Sequence, residues 1–251
     1  LLDKGQDPHS FQPTTEQLTE LSQSNIYFTV GMEFEERLVQ KITASMNKVH
    51  IIDLASGVKK IPMKGHDHHH KKSKKKAQGK GRQHDGLDPH IWLDPRNLLQ
   101  MAQVMTAGLA QADPDHSAVY QENLQALQSE LSTLHNELTK ALAPCNSRTF
   151  LVFHPAFGYF AAAYGLQQEA VEMEGKKPTP KQLYNLVKKA KEEQIKAIFI
   201  QPQFDRKNAQ IIAQAINGKV VVLDHLAEDV PRNLREMAKK ICPPTNPKKQ
   251  E

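Results

Sequence analysis

Residues 124–142 read LQALQSELSTLHNELTKAL. Leu124, Leu127, Leu131, Leu134, Leu138 and Leu142 recur at steps of three and four, which is one stripe of an α-helix. No Gly or Pro interrupts the pattern between Pro114 and Pro144. The spacing therefore predicts a single helix of about 28 residues, roughly 40 Å long. A helix of that length exceeds what one small lobe ordinarily needs, so it is expected to run past two halves as a spine.

Downstream of the spine the chain reads as repeated β-α units. Residues 150–153 form an apolar strand with a helix expected from Pro155; Thr179-Pro180 opens a helix; 197–200 is a strand; Asp205 caps the next helix; 220–223 is a strand, and a last helix ends near Cys242. Short continuous apolar strands alternating with helices imply a parallel sheet covered on both faces. Upstream, Thr14 or Thr15 caps a short helix. Strands are expected at 26–30 and 49–54 with a helix between them, and Asp94-Pro95 starts a helix that ends near Ala112. The fold class is α/β, with two small parallel-sheet lobes: residues 1–113, a linking helix over 114–143, and residues 144–251. No internal sequence repeat accompanies the two similar half-architectures.

Between the two upstream blocks lies a segment of different composition, 57–86, polar and rich in Lys and His. Ten basic residues and one acid fall between Lys59 and Arg82, so this run alone outweighs the chain's net charge of +5 and the remainder is net acidic. It carries no aromatic residue to stack on a base, which argues against nucleic-acid binding. It is expected to stay solvated as a loop. No run of about 18 apolar residues occurs to span a bilayer. Cys145 and Cys242 lack Cys-x-x-Cys spacing; they read equally as the outlying disulfide of an exported protein or as two free thiols.

Three histidines sit at turn or strand-end positions. His9 and His90 each close an Asp-Pro-His tripeptide, and His154 follows the strand at 150–153. Ligands in parallel sheets bind beyond the carboxyl ends of strands. His154 and Asp224 occupy that position, and His9 does too if Leu1-Leu2 ends a strand. Three or four such donors suit a tetrahedral zinc site; each histidine alone reads more readily as a packed or capping residue, and only the three together bring the ligand reading level with it. His66, His68, His69, His70 and His84 on the basic loop form a second metal signal, a weaker one on a flexible segment, or else a solvated loop. His50, His116, His135 and His225 read as structural, and Glu33, Glu35 and Glu36 as one face of a helix. No Gly-rich phosphate loop and no Gly-x-Ser-x-Gly elbow is present.

Taken together, Gly5-Gln6-Asp7-Pro8-His9-Ser10-Phe11, Val30-Gly31-Met32-Glu33-Phe34-Glu35, His90-Ile91-Trp92-Leu93-Asp94-Pro95, Phe153-His154-Pro155-Ala156-Phe157-Gly158-Tyr159-Phe160, Gln201-Pro202-Gln203-Phe204 and Leu223-Asp224-His225-Leu226-Ala227 resemble, in order and over nearly the whole chain, the periplasmic metal-binding subunits of ABC transporters, specifically the zinc-uptake branch. The resemblance implies two α/β lobes joined by one long helix with the metal in the cleft. Its ligands fall on His9, His90 and His154, with Asp224, a water or another acid as the fourth. It further implies a Zn2+ cargo, a membrane permease as partner, no catalytic turnover, a monomer, and a periplasmic or extracytoplasmic location, free or lipid-anchored. A related manganese branch is similar but typically carries a carboxylate where His154 stands. Members of the family usually open with a further strand and helix, so a leader and a first β-α unit are expected ahead of Leu1. Cys145, ahead of a strand, and Cys242, at the end of the last helix, are expected to pair at the bottom of the second lobe. The rival readings are a zinc hydrolase and an adhesin built on the same fold.

Overall fold

The computed structural model describes residues 1–3, 5–46, 48–63, 86–145, 147–172 and 178–243. Its first sheet has two parallel strands, β1 (Ile26–Thr29) and β2 (His50–Asp53), with Ile26 opposite His50 and Thr29 opposite Asp53. Parallel neighbours need a crossover, and α2 (Glu33–Ser45) supplies it. Ahead of β1, α1 (Thr15–Ser22) is started by the Thr14 hydroxyl, which accepts the Gln17 N–H. The turn from β1 into α2 is closed from within. Gly31 takes φ +91°, a left-handed conformation that suits glycine. The Glu35 carboxylate folds back to accept the N–H groups of Val30, Gly31 and Met32 at 3.1, 2.7 and 2.8 Å. Glu35 is thus a buried turn anchor and not part of an exposed acidic face.

α3 (Pro95–Ala112) begins at Asp94, whose carboxylate accepts the Arg96 N–H. It lies hard against β2: a Cβ on Gly108 would come within 2.3 Å of Ile52 Cδ1. The spine is α4 (Ser117–Leu142), 26 residues and about 39 Å long. Its leucine stripe divides into two parts. Leu131, Leu134, Leu138 and Leu142 are buried with Phe150, Phe157, Phe160, Leu223, Leu234 and Met237 in the largest core. Leu124 and Leu127 instead border a shallow apolar cavity against Met105 and Leu109 of α3.

The second sheet has four parallel strands in the order β4-β3-β5-β6, where β3 is Thr149–Val152, β4 Gln167–Ala170, β5 Ala197–Ile200 and β6 Lys219–Val222. Val152 lies level with Phe199, and Phe199 with Val221. Side chains alternate between the faces. Val152, Phe199, Val221 and Leu223 join the core shared with α4. Leu151, Ile198, Ile200, Val220 and Val222 pack on the opposite side with Ala190 and Ile212. Those two residues belong to α6 (Pro180–Glu192) and α7 (Arg206–Ala215). α5 (Gly158–Ala163) and α8 (Val230–Ile241) lie on the spine side. A disulfide joins Cys145 to Cys242, tying the chain after α4 to the end of α8.

Three local expectations change. Leu1 and Leu2 are irregular and exposed instead of ending a strand, and the Leu1 carbonyl is taken by the Gln17 amide at 2.6 Å. The helix expected from Pro155 starts at Gly158, because the Ala156 N–H bonds the His154 carbonyl and the Phe157 N–H bonds Gln168 Oε1. β4, reading QQEA, has no apolar run to announce it. Most of the basic loop, with His66, His68, His69, His70 and His84, lies outside the described residues. Its two ends are paired: Pro62 bridges Leu87, Met63 N–H donates to the Gly86 carbonyl and Asp88 N–H to the Ile61 carbonyl.

The divided stripe makes a prediction. Leu138 is 1% exposed and Leu127 37%. Leu138→Ala should cost about 2–5 kcal/mol, and Leu127→Ala below ~1 kcal/mol. Urea unfolding of the two variants measures the difference; equal costs would mean that the two ends of the spine are anchored alike.

Candidate metal centre

The repeated Asp-Pro-His tripeptide makes the same local turn twice. Asp7 Oδ1 accepts the His9 N–H at 3.0 Å, and Asp88 Oδ1 accepts the His90 N–H at 2.9 Å. This side-chain-to-backbone bond is the ordinary device by which Asp shapes a turn. Here it aims both imidazoles into the space between the sheets. The third histidine arrives from the other half. His154 stands two residues beyond the end of β3, its carbonyl is held by Gln201 Nε2 at 2.8 Å, and its ring stacks on Phe204 at 5.3 Å.

Two of the rings are also fixed about their own axes. His90 Nδ1 meets Asp88 Oδ1 at 2.7 Å, and His154 Nδ1 meets Glu172 Oε2 at 3.0 Å. A carboxylate accepts and does not donate, so each Nδ1 is the nitrogen that carries the proton and each Nε2 is the one left to face the cluster. The Nε2 atoms of His9, His90 and His154 are all buried, and none has a hydrogen-bond partner. Each imidazole offers one ligand atom, and the three atoms lie within 4.8 Å of one another. Ring centres are 4.8 Å apart for His9–His154, 5.4 Å for His90–His154 and 5.5 Å for His9–His90.

Burial sets the protonation. It lowers His9 below the ordinary imidazole value of 6.5, helped by the His154 ring, and holds His90 well below it, again with help from His154. Neutral imidazoles are the form that binds metal. Asp88 is pushed up to about 7 by burial, opposed by the His90 amide. Its Oδ2 lies against Gly158, where a Cβ would come within 2.3 Å of it, and the Gly158 backbone helps hold the carboxyl down. Glycine at 158 is what lets the second half approach the carboxylate that orients His90.

Asp224 does not fall in the three-donor group. Its Oδ1 accepts the Leu226 N–H at 3.0 Å, and its carbonyl takes the Asn233 amide at 2.6 Å. Its neighbour His225, read from sequence as structural, is placed among the site histidines. Its ring is 5.5 Å from His90 and 6.2 Å from His154, and both ring nitrogens are buried without a partner. The missed signal is position: His154 stands two residues past β3 and His225 three residues past β6, at the same edge of the sheet, where strand alternation no longer fixes which face a side chain takes. His50 is exposed at the start of β2, and His116 is exposed beside Asp113. His135 meets the Tyr164 hydroxyl at 3.3 Å, away from the cluster.

Sequence and structure comparisons converge on one family. The family whose model matches residues 1–241 is described as "Zinc-uptake complex component A periplasmic". A "Zinc-binding protein AdcA" of Streptococcus pyogenes serotype M3 is 28% identical over 234 residues, covering 90% of this chain and 45% of that protein. The chain thus spans about half the length of that relative. A "Manganese-binding lipoprotein MntA" of Halalkalibacterium halodurans is 26% identical over 203 residues, covering 78% and 61%. A crystal structure described as a ZnuA 138–173 deletion mutant with zinc bound superposes with a TM-score of 0.86 at 34% identity, covering 98% of this chain and 89% of that one.

Two predictions follow from the site's electrostatics. Glu172→Gln keeps a hydrogen-bonding group beside His154 Nδ1 but removes the charge, so metal affinity should fall by about 10–100-fold. Isothermal calorimetry reads this, and unchanged affinity would remove Glu172 from the site's support. For the metal-free protein, His9, His90 and His225 all have imidazole values lowered by burial. The unfolded chain therefore binds more protons than the folded one below about pH 6.5, and stability falls as pH drops through that value. Asp88, raised to about 7, works in the opposite sense, one group against three. Tm should be lower at pH 5.5 than at pH 7.5; a flat or rising Tm would contradict the buried-neutral assignment.

Proposed function

The chain belongs to the zinc-uptake complex component A family, and on that premise we propose that it is a periplasmic carrier that holds one Zn2+ between its lobes and hands it to the permease of an ABC transporter. The observation that carries this reading is the triad of unpartnered, buried Nε2 atoms of His9, His90 and His154, with ligand atoms within 4.8 Å of one another. Buried ring nitrogens are ordinarily satisfied; three that converge without partners fit a cation. An all-nitrogen donor set favours zinc over manganese, which prefers carboxylate oxygens. The zinc-bound relative at 34% identity supports the same cargo.

Zinc is cargo here, so the protein's task is ligation and release. Residues 1–113 contribute His9 and His90, residues 144–251 contribute His154, and the helix over 114–143 links the two parts. Neutral imidazoles accept the dication without first losing a proton. Asp88 and Glu172, one carboxylate behind each of two ligands, balance its two charges. Release requires the ligands to part or to take up protons.

His154→Ala should lower zinc affinity by orders of magnitude while circular dichroism and the disulfide stay unchanged. Near wild-type affinity would take His154 out of the site. In a competition titration the unmodified protein should prefer zinc to manganese, and His154→Glu should narrow the preference. Tight manganese binding by the unmodified protein would overturn the zinc assignment.

A further inference from the structure

His225 is 2% exposed, and both of its ring nitrogens are buried with no hydrogen-bond partner. Leaving buried polar atoms unpaired is costly, so a histidine with two such atoms is a poor choice for packing alone. Its backbone is firmly held. The Trp92 indole N–H donates to the His225 carbonyl at 2.7 Å, and the preceding residue is pinned by Asn233 and by the Leu226 amide. The ring thus has a fixed origin, free nitrogens and three imidazoles for company.

The spacing suits a shared ion. Four imidazoles around one tetrahedral zinc have ring centres about 5 Å apart. The His225 ring lies 5.5 Å from His90 and 6.2 Å from His154, against 4.8–5.5 Å within the triad. It stands outside the three-donor group, so joining it calls for its ring to turn toward the triad about a backbone held in place. We propose that His225 is the fourth zinc ligand, completing an all-imidazole site. Asp224, one residue earlier, instead caps the turn that presents it. This assignment rests on the triad reading above and goes beyond it by filling the coordination position that three ligands leave open.

The test is X-ray absorption at the zinc edge on the full chain with one equivalent of zinc, together with calorimetry and metal-free Tm, for the unmodified protein, His225→Phe, His225→Gln and Asp224→Asn. Four imidazole scatterers are expected in the unmodified protein, and three with one light oxygen in both His225 variants. Affinity should fall about 100-fold or more in both, the upper end of what loss of a mere supporting partner causes. Asp224→Asn should keep all four. Metal-free His225→Phe should keep or raise Tm, because an aromatic ring replaces one with two unpaired nitrogens; a structural histidine would lower it. Three imidazoles plus oxygen in the unmodified protein, or four retained in His225→Phe, would overturn the proposal while leaving the triad intact. One oxygen in the shell of the unmodified protein, unchanged in the His225 variants, together with lost affinity in Asp224→Asn, would transfer the role to Asp224. Fewer than three imidazoles in the unmodified protein would instead remove the triad itself.

Discussion

The structure is organised around imidazole nitrogens kept in the interior with nothing to bond. The Nε2 atoms of His9, His90 and His154 and both nitrogens of His225 are buried and unpartnered, and a folded chain ordinarily avoids this. Such a cluster persists only if its surroundings are over-determined. Here they are, through the two Asp turns, the Gln201 hold on the His154 backbone, the Trp92 hold on the His225 backbone and the carboxylates behind His90 and His154. The long helix serves the same end. Its buried leucines lie under the sheet that carries His154 and His225, while its other end lies against the helix that follows His90. One long helix thus packs against both of the halves from which the clustered histidines come.

Much of this was legible in the sequence because the strongest signals are periodic. The leucine stripe announces the spine, apolar strands alternating with capped helices announce the second sheet, and a tripeptide used twice marks two ligand turns. The signals that failed were those without periodicity. β4 has no apolar residue before Ala170, and its place is fixed only by pairing with β3. Leu1 and Leu2 look like a strand end in composition, yet the Leu1 carbonyl is engaged by Gln17. Glu35 reads as one of three surface acids until the β1–α2 turn closes on it. His225 is the instructive miss. Proximity to a strand end selects Asp224 and His225 equally, and only the folded turn shows that His225 is the one beside the site histidines.

The carboxylates bear on how a dication would be tolerated in so dry a place. Neutral rings lend no charge, and an unbalanced ion in the interior is costly. Asp88 and Glu172 stand one hydrogen bond farther out, so their charges compensate the ion without occupying its coordination positions, where oxygen ligands would relax selectivity. Asp88 is held near neutrality's edge by burial, and an approaching dication shifts it toward the ionised form.

Trp92 and Tyr159 form a reciprocal pair across the cleft. Trp92, two residues after His90, donates to the His225 carbonyl at 2.7 Å. Tyr159, five residues after His154, donates to the Asp88 carbonyl at 3.1 Å while its oxygen accepts the Ile61 N–H at 3.3 Å. Each half therefore grips the backbone beside the other half's histidines with an aromatic side chain. Separating the halves breaks both latches in one motion and bares two carbonyls that water must then reach. The two halves are thus tied to each other at two points, one beside His225 and one beside His90.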